Sequence, residues 1–188
     1  MTSSSPTTSR SVTRSLEGAK RLFGSPSITR KIITKKILDA LFLLTLRDTS
    51  FVLCRTVWRL FIEFFGLLRF IEVSNLQFSD ISWTDLRFDI FISKSKTDQT
   101  RKGDWVSIAA QPGSPGCPVS FTRKYLSLLP YDSGFIMPSL KQSIPDPLSP
   151  LKYTTALRDL RYVLRLIGID PQGYAEHWSL RRYYCRRC

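Results

Sequence analysis

"LQFSDISWTDLRFDIFISKSKTDQTRKGDWVSIA", residues 76–109, is the stretch whose reading decides the fold. Within it "LRFDIFIS" alternates: Leu86, Phe88, Ile90 and Ile92 fall on one face, Arg87, Asp89, Phe91 and Ser93 on the other. Successive side chains of a strand point to opposite faces, so a period of two predicts a strand half-buried against a core. "WVSIA" (residues 105–109) predicts a second strand, and the polar "KSKTDQTRKGD" between them a hairpin connection. "LQFSDISW" supplies a third, giving a small three-stranded antiparallel sheet.

On both sides of the sheet the texture is helical. "IITKKILDALFLLTL" (residues 32–46) crowds apolar residues into what reads as a mostly buried helix. "RDTS" breaks it, and Thr49 or Ser50 is placed to cap the next element. Residues 51–68 form a second, very apolar helix, on which Arg55, Arg59 and Glu63 recur every four residues as one thin polar stripe. After the sheet, "CPVSFTRKYLSLL" begins a helix with proline in its first turn, where the missing N–H costs nothing. Residues 138–150 are expected to be a Pro/Ser-rich loop. In "LKYTTALRDLRYVLRLIG" that follows, Leu157, Leu160, Leu164 and Ile167 make an apolar stripe and Gly168 stops the helix. Helices around a small three-stranded antiparallel sheet, without repeats, make the fold class α+β and mostly helical.

Composition bounds the function. A chain of 188 residues with 43% hydrophobic content is one globular domain with room for a real core. Its 28 basic and 15 acidic residues leave +13, a balance that favours a polyanionic partner, nucleic acid before a membrane surface. The charge is uneven: residues 1–36 hold eight basic residues and one acid, so +7 of the excess sits there. Residues 1–30 read as a disordered, basic Ser/Thr-rich arm, though an arginine-rich, acid-poor start also imitates a mitochondrial presequence. No apolar run approaches a bilayer span, and the polar start leads us to expect no secretory signal. The four cysteines are then expected as free thiols in a reducing compartment. Cys185 and Cys188 form a C-x-x-C, but a zinc site takes four ligands and the chain has one histidine. Neither a metal nor a small-molecule cofactor is expected.

Three groups of residues are candidates for chemistry. Arg69 is read as closing the second helix, with Glu72 three residues on, where its carboxylate can hold the guanidinium in place. The plain alternative is an arginine serving the helix dipole. Lys96 lies in the hairpin tip among Lys94, Arg101 and Lys102, placed to reach a nucleic-acid groove or merely to protect the sheet edge. The terminal "HWSLRRYYCRRC" gathers His177 with Arg181 and Arg182, which can move a proton and clamp phosphate oxygens respectively.

In this order, Arg69-x-x-Glu72, the strand with Lys96 and the "HWSLRR" box resemble the catalytic domain of the tyrosine recombinase (phage-integrase) family. The phrases "FFGLLRFIEVSNLQFSDISW", "ISKSKTDQTRKG" and "GIDPQGYAEHWSLRR" look most like the integrase-like recombinases of eukaryotic mobile elements. "CPVSFTRKYL" and "SGFIMPSL" also fall where that family has a helix start and a short apolar strand-like segment. The resemblance covers residues 34–182. It implies double-stranded DNA as partner, a possible homo-oligomer on DNA, no membrane association, and a nuclear location, otherwise cytoplasmic. It implies attack of a tyrosine hydroxyl on a phosphodiester, which leaves a protein–DNA phosphotyrosine. By the match, Arg69 and Arg181 are the guanidinium clamps for charge on the non-bridging oxygens. Lys96 protonates the leaving 5′ oxygen, His177 assists, and Glu72 positions Arg69. Lys94, Arg101, Lys102 and Arg182 are then DNA-binding residues.

Two departures qualify the match. The family box is His-x-x-Arg, but Trp178 stands three residues before Arg181 and His177 four. Either one residue is inserted, or Trp178 fills the histidine position, where its N–H donates a hydrogen bond but transfers no proton. The second departure is the nucleophile. Family members place it several helical turns past the box, whereas seven residues follow Arg181 here, and Tyr183 and Tyr184 lie too close to it. No nucleophile is identified. Read one nucleotide forward, the codons behind "RYYCRRC" yield small residues, Ile or Thr, which is the texture the family has there. Residues 31–182 are therefore expected to form an incomplete catalytic domain, and residues 183–188 an aberrant, frame-shifted tail. The rival readings are a non-enzymatic DNA-binding remnant of a mobile element and an unrelated helical interaction module.

Overall fold

A computed structural model describes residues 12, 14, 15, 18, 31–93, 103–114 and 116–174. The chain divides into two units, Met1–Arg30 and Lys31–Cys188. In the first, residues 12, 14, 15 and 18 are helical. The rest of the description concerns the second.

Helix α1, Lys35–Arg47, starts at Thr34, whose hydroxyl accepts the Ile37 N–H at 3.4 Å as an N-cap. Leu38, Leu41, Phe42 and Thr45 face inward. Leu43 and Leu46 are exposed, so the helix lies on the core rather than within it. Helix α2, Phe51–Gly66, is the centre of this unit, with every residue from Leu53 to Glu63 buried. A helix apolar on nearly all sides leaves no face for water, and its neighbours must surround it. The expected polar stripe is therefore not on a surface. Arg55, Arg59 and Glu63 are all buried and find partners inside the protein.

Helix α2 ends two residues earlier than the apolar run suggests. Leu67 takes a left-handed conformation (φ 51°), and the Leu68 N–H reaches back to the Glu63 carbonyl at 3.2 Å. This reversal resembles the usual six-to-one closure of a helix C-terminus, with leucine where glycine is commoner. A short helix α3, Phe70–Ser74, follows, and a 3-10 turn at Phe78–Asp80 leads into the sheet.

The sheet has the order β1 (Ile81–Trp83), β2 (Arg87–Ile92), β3 (Asp104–Ala109), antiparallel throughout. Phe88, Ile90 and Ile92 are buried, and Ile108 is paired with Phe88 across β2 and β3 on the same face. The alternation read from the sequence is thus realised, except at Leu86. That residue precedes β2, lies in the turn and is 72% exposed.

Helix α4, Pro118–Leu126, has Pro118 at its first position, as expected. Its Tyr125 ring stacks on Trp58 of α2 at 4.7 Å, and Phe121 meets Phe42 and Phe61 edge-on at 5.2 Å each. Trp58 donates its indole N–H to Thr122 at 3.1 Å.

Residues 138–150, expected to be a loop, form a second sheet instead: the hairpin β4 (Pro138–Lys141) and β5 (Ile144–Pro150). Prolines normally break a ladder, but a two-stranded ribbon offers outer edges where no N–H is needed. The turn residues Gln142 and Ser143 both have positive φ, 51° and 68°, the geometry whose twist suits a two-residue hairpin. Gly134 lets this ribbon close on the loop before it, since a Cβ there would sit 2.5 Å from the Pro147 carbonyl oxygen.

Helix α5, Tyr153–Leu166, ends as the sequence predicts. Gly168 is left-handed (φ 73°) and donates to Arg165, while Ile169 donates to Leu164, each at 3.0 Å. Its inward face differs from the leucine stripe. Ala156, Asp159, Leu160, Val163 and Leu164 are buried, and Leu157 lies at the margin. A stripe of large apolar residues does not include the small Ala156 or the buried Asp159. The class is α+β, mostly helical, with two small antiparallel sheets.

Candidate functional site

The site builds from the end of α2. Arg69 does not close that helix, as its place after an apolar run suggested. It is the residue that opens α3, with extended backbone (φ −87°, ψ 156°). Glu72 is the third residue of α3, and its carboxylate turns back on Arg69 twice. Oε2 accepts the Arg69 main-chain N–H at 2.7 Å, and Oε1 accepts a guanidinium N–H at 2.9 Å. The first bond serves a main-chain donor that the start of a helix leaves without an intrahelical partner. The second fixes the side chain. Glu72 is 6% exposed and Arg69 36%, so a nearly buried carboxylate holds a guanidinium that solvent or a ligand can reach.

Glu72 also lines a cleft of about 440 Å³ with Asn75 and Gln77, opposite Ile92 and Ser93 at the end of β2. The cleft thus joins the carboxylate that holds Arg69 to the strand from which the basic hairpin departs. Lys96 itself, with Lys94, Arg101 and Lys102, lies outside the described residues. So do His177, Trp178, Arg181 and Arg182. Tyr174, three residues before His177, is described, and it is paired with Lys31 by a parallel bridge.

Two layers inside the site were not read from the sequence as they stand. Arg59 donates to Glu63 at 3.4 Å, with both side chains fully buried. The Arg59 guanidinium lies 5.7 Å from the centre of the Phe70 ring, next in sequence to Arg69. The four-residue spacing was legible, but their burial was not. The signal for it was the absence of any polar face on α2 for a stripe to occupy. Arg55 has a longer reach, donating to the Pro138 carbonyl at 2.6 Å and to Asp159 of α5 at 2.7 Å. No local spacing announces a pair separated by more than a hundred residues of sequence.

Ionisation follows burial here. The Tyr125 hydroxyl, buried and donating to the Ile136 carbonyl at 2.8 Å, is pushed well above the usual phenol range by desolvation, against the pull of Arg55. Desolvation, with Asp146 adding to it, raises Tyr131 to about 12. Burial likewise raises the Cys54 thiol. Neither tyrosine is poised to ionise near neutral pH.

In sequence, 125 residues of the chain are 30% identical to an integrase/recombinase XerD homolog of Selenomonas ruminantium. The match takes in 65% of this chain and 36% of that protein. No protein-family model matches. In structure, 85% of the chain superposes on a XerH site-specific recombinase bound to difH substrate in a pre-cleavage complex, with TM-score 0.55 and 15% identity. A post-cleavage complex of XerH on palindromic difH substrate gives 0.53 over 79% of the chain at 13% identity. The fold, helices with small antiparallel sheets, is thus similar to that of these site-specific recombinases. The chain spans 44% and 39% of those two proteins, well under half of either. Among the described residues, no helix is long and apolar enough to cross a membrane.

Proposed function

We propose that the unit Lys31–Cys188 is a DNA-binding module of tyrosine-recombinase type, built for strand cleavage and rejoining, in which Arg69 clamps the scissile phosphate and Glu72 aims it. The observation that carries this reading is the Arg69–Glu72 pair, a reachable guanidinium fixed at both its backbone and its side chain by one buried carboxylate. A phosphate with charge on its non-bridging oxygens is stabilised best by donors already oriented before it arrives. Lys96 as the proton donor to the 5′ oxygen, Arg181 as the second clamp, and His177 or Trp178 beside it complete the proposed set. Lys94, Arg101, Lys102 and Arg182 are proposed to hold the DNA backbone. Assembly as a homo-oligomer on DNA belongs to the same proposal. Derivation from a eukaryotic mobile element rests on the sequence phrases, since the relative matched in sequence is bacterial.

For this chain assayed by itself, the proposal is binding without cleavage. Burial pushes the Tyr125 and Tyr131 hydroxyls up, Tyr153, Tyr162 and Tyr174 precede the box and match no family position, and Tyr183 and Tyr184 follow Arg181 by only two and three residues of sequence. Two measurements test the reading. A suicide substrate that traps covalent intermediates should yield no tyrosine-linked DNA adduct with the chain; an adduct refutes the binding-only reading. A nicked duplex carrying a 3′-phosphate should bind more tightly than the same duplex without it, and Arg69→Ala should abolish that difference. Equal affinity for both duplexes refutes the clamp.

A further inference from the structure

The Arg59–Glu63 pair is buried completely, one turn before the site, and touches no surface that DNA could reach. Stability alone accounts poorly for it, because desolvating two charges costs about as much as their attraction returns, and apolar residues of the same volume often do as well or better. What the pair does hold is geometry. The Glu63 carbonyl accepts the Leu68 N–H at 3.2 Å, and its carboxylate accepts Arg59 at 3.4 Å. The Arg59 guanidinium in turn covers the Phe70 ring at 5.7 Å. Leu68 and Phe70 are the two neighbours of Arg69: the main-chain carbonyl of residue 63 holds Leu68 whatever its side chain, and the Arg59 guanidinium, fixed by the Glu63 carboxylate, holds Phe70. Phe70 also meets Tyr153 of α5, edge-on at 5.5 Å.

We infer that Arg59 and Glu63 are positioning residues for Arg69: the Glu63 carboxylate fixes the Arg59 guanidinium, which seats Phe70 next to the clamp, while Glu72 sets the clamp's side chain. The inference rests on the clamp reading of Arg69 given above. A planar guanidinium has directions that an apolar side chain lacks, since its N–H groups fix it against Glu63 while its face lies on Phe70. Replacing both charges by apolar residues should fill the space and lose the aim.

The experiment uses the full chain and two duplexes, one with a 3′-phosphate at a nick and one without. Their ratio of affinities reads the phosphate contact apart from general DNA binding. The paired substitution Arg59→Met with Glu63→Leu should leave the melting temperature unchanged or raise it, yet reduce the phosphate-dependent ratio about tenfold, roughly one charged hydrogen bond. In an Arg69→Ala background the same pair should change the ratio no further, because there is no clamp left to aim. An unchanged ratio with Arg69 present, or an equal loss in its absence, overturns the positioning role. Should the double variant fail to fold, Arg59→Lys carries the test. It keeps the charge but not the flat face on Phe70, and a several-fold loss that vanishes with Arg69→Ala is expected. Loss that persists there overturns the inference. If Arg69→Ala alone leaves the ratio intact, the clamp reading fails first and the positioning role falls with it.

Discussion

Arg55 meets Asp159 at 2.7 Å and Arg69 meets Glu72 at 2.9 Å, but the first arginine side chain is 1% exposed and the second 36%. Arg55 joins three elements: α2 that carries it, α5 through Asp159, and the β4–β5 hairpin through the Pro138 carbonyl. Arg69 is fixed within its own short helix, through a carboxylate three residues away. The same chemistry thus serves tertiary structure in one place and leaves a donor group at the surface in the other. Burial and sequence separation distinguish the two pairs, and they assign the cost of breaking each to a different measurement.

The largest effect should come from Asp159→Ala. It leaves Arg55 charged and uncompensated in the core, a change that costs about 3–5 kcal/mol, read from the denaturant midpoint. Replacing both partners together, Arg55→Met with Asp159→Leu, should cost far less, because no buried charge remains. Equal losses from the single and double variants would erase the contrast with Arg69. For Arg69→Ala the expectation is reversed. A partly exposed pair contributes about 1 kcal/mol or less to stability. The same change should weaken binding to the 3′-phosphate nick about tenfold to a hundredfold, the worth of charge-assisted hydrogen bonds. Glu72→Gln retains the acceptor for the Arg69 main chain and removes the ion pair, so it should fall between the unaltered chain and Arg69→Ala in the binding ratio.

Alkali should act on the Arg55 side of the molecule. Tyr125 and Tyr131 both have pKa values raised above the ordinary phenol value of 10, Tyr131 to about 12. A raised value in the folded state means the neutral phenol stabilises the fold fully below pH ~10. That contribution is lost as pH climbs through about 12, where Tyr131 ionises. Stability measured against pH should therefore fall in this window together with the rise of tyrosinate absorbance. Tyr131→Phe should flatten part of the fall. A chain whose stability is level up to pH ~12 would show that burial of these hydroxyls is looser than the 2.8 Å bond from Tyr125 to Ile136 indicates.

The sheet was legible because its signal is local. Phe88, Ile90 and Ile92 alternate on one strand, and the partner strands follow it or precede it directly in sequence. The helix boundaries at Pro118 and Gly168 were legible for the same reason, since each residue imposes its own backbone conformation. The hairpin at residues 138–150 was not. Its prolines argue against a strand, and only the docking of a two-stranded ribbon against its neighbours leaves them at harmless edges. Arg69 and Glu72 could be paired from their spacing. That the pair opens a new helix instead of ending the old one depends on the left-handed turn at Leu67, one residue beyond Gly66, where the leucine and not the glycine takes the left-handed conformation. The buried Arg55, Arg59 and Glu63 mark the same limit, because a polar residue every fourth position suggests a wet face until the helix is found to have none.

Leu67 gives the smallest predicted effect and the closest test of that turn. Its left-handed backbone costs a branched or bulky residue about 1 kcal/mol relative to glycine, and its side chain is exposed enough to recover little of this by packing. Leu67→Gly relieves that strain but also frees the unfolded chain, so the net change should lie between nothing and a gain of about 1 kcal/mol. The position of Arg69 is set by the bond from Leu68 to the Glu63 carbonyl and by Phe70 against Arg59, neither of which involves the Leu67 side chain. The phosphate-dependent binding ratio should then stay within about twofold of the unaltered chain. A loss as large as that of Arg69→Ala would mean that the stiffness of leucine in the turn aims the guanidinium, and would move the determinant from the buried pair to the turn itself.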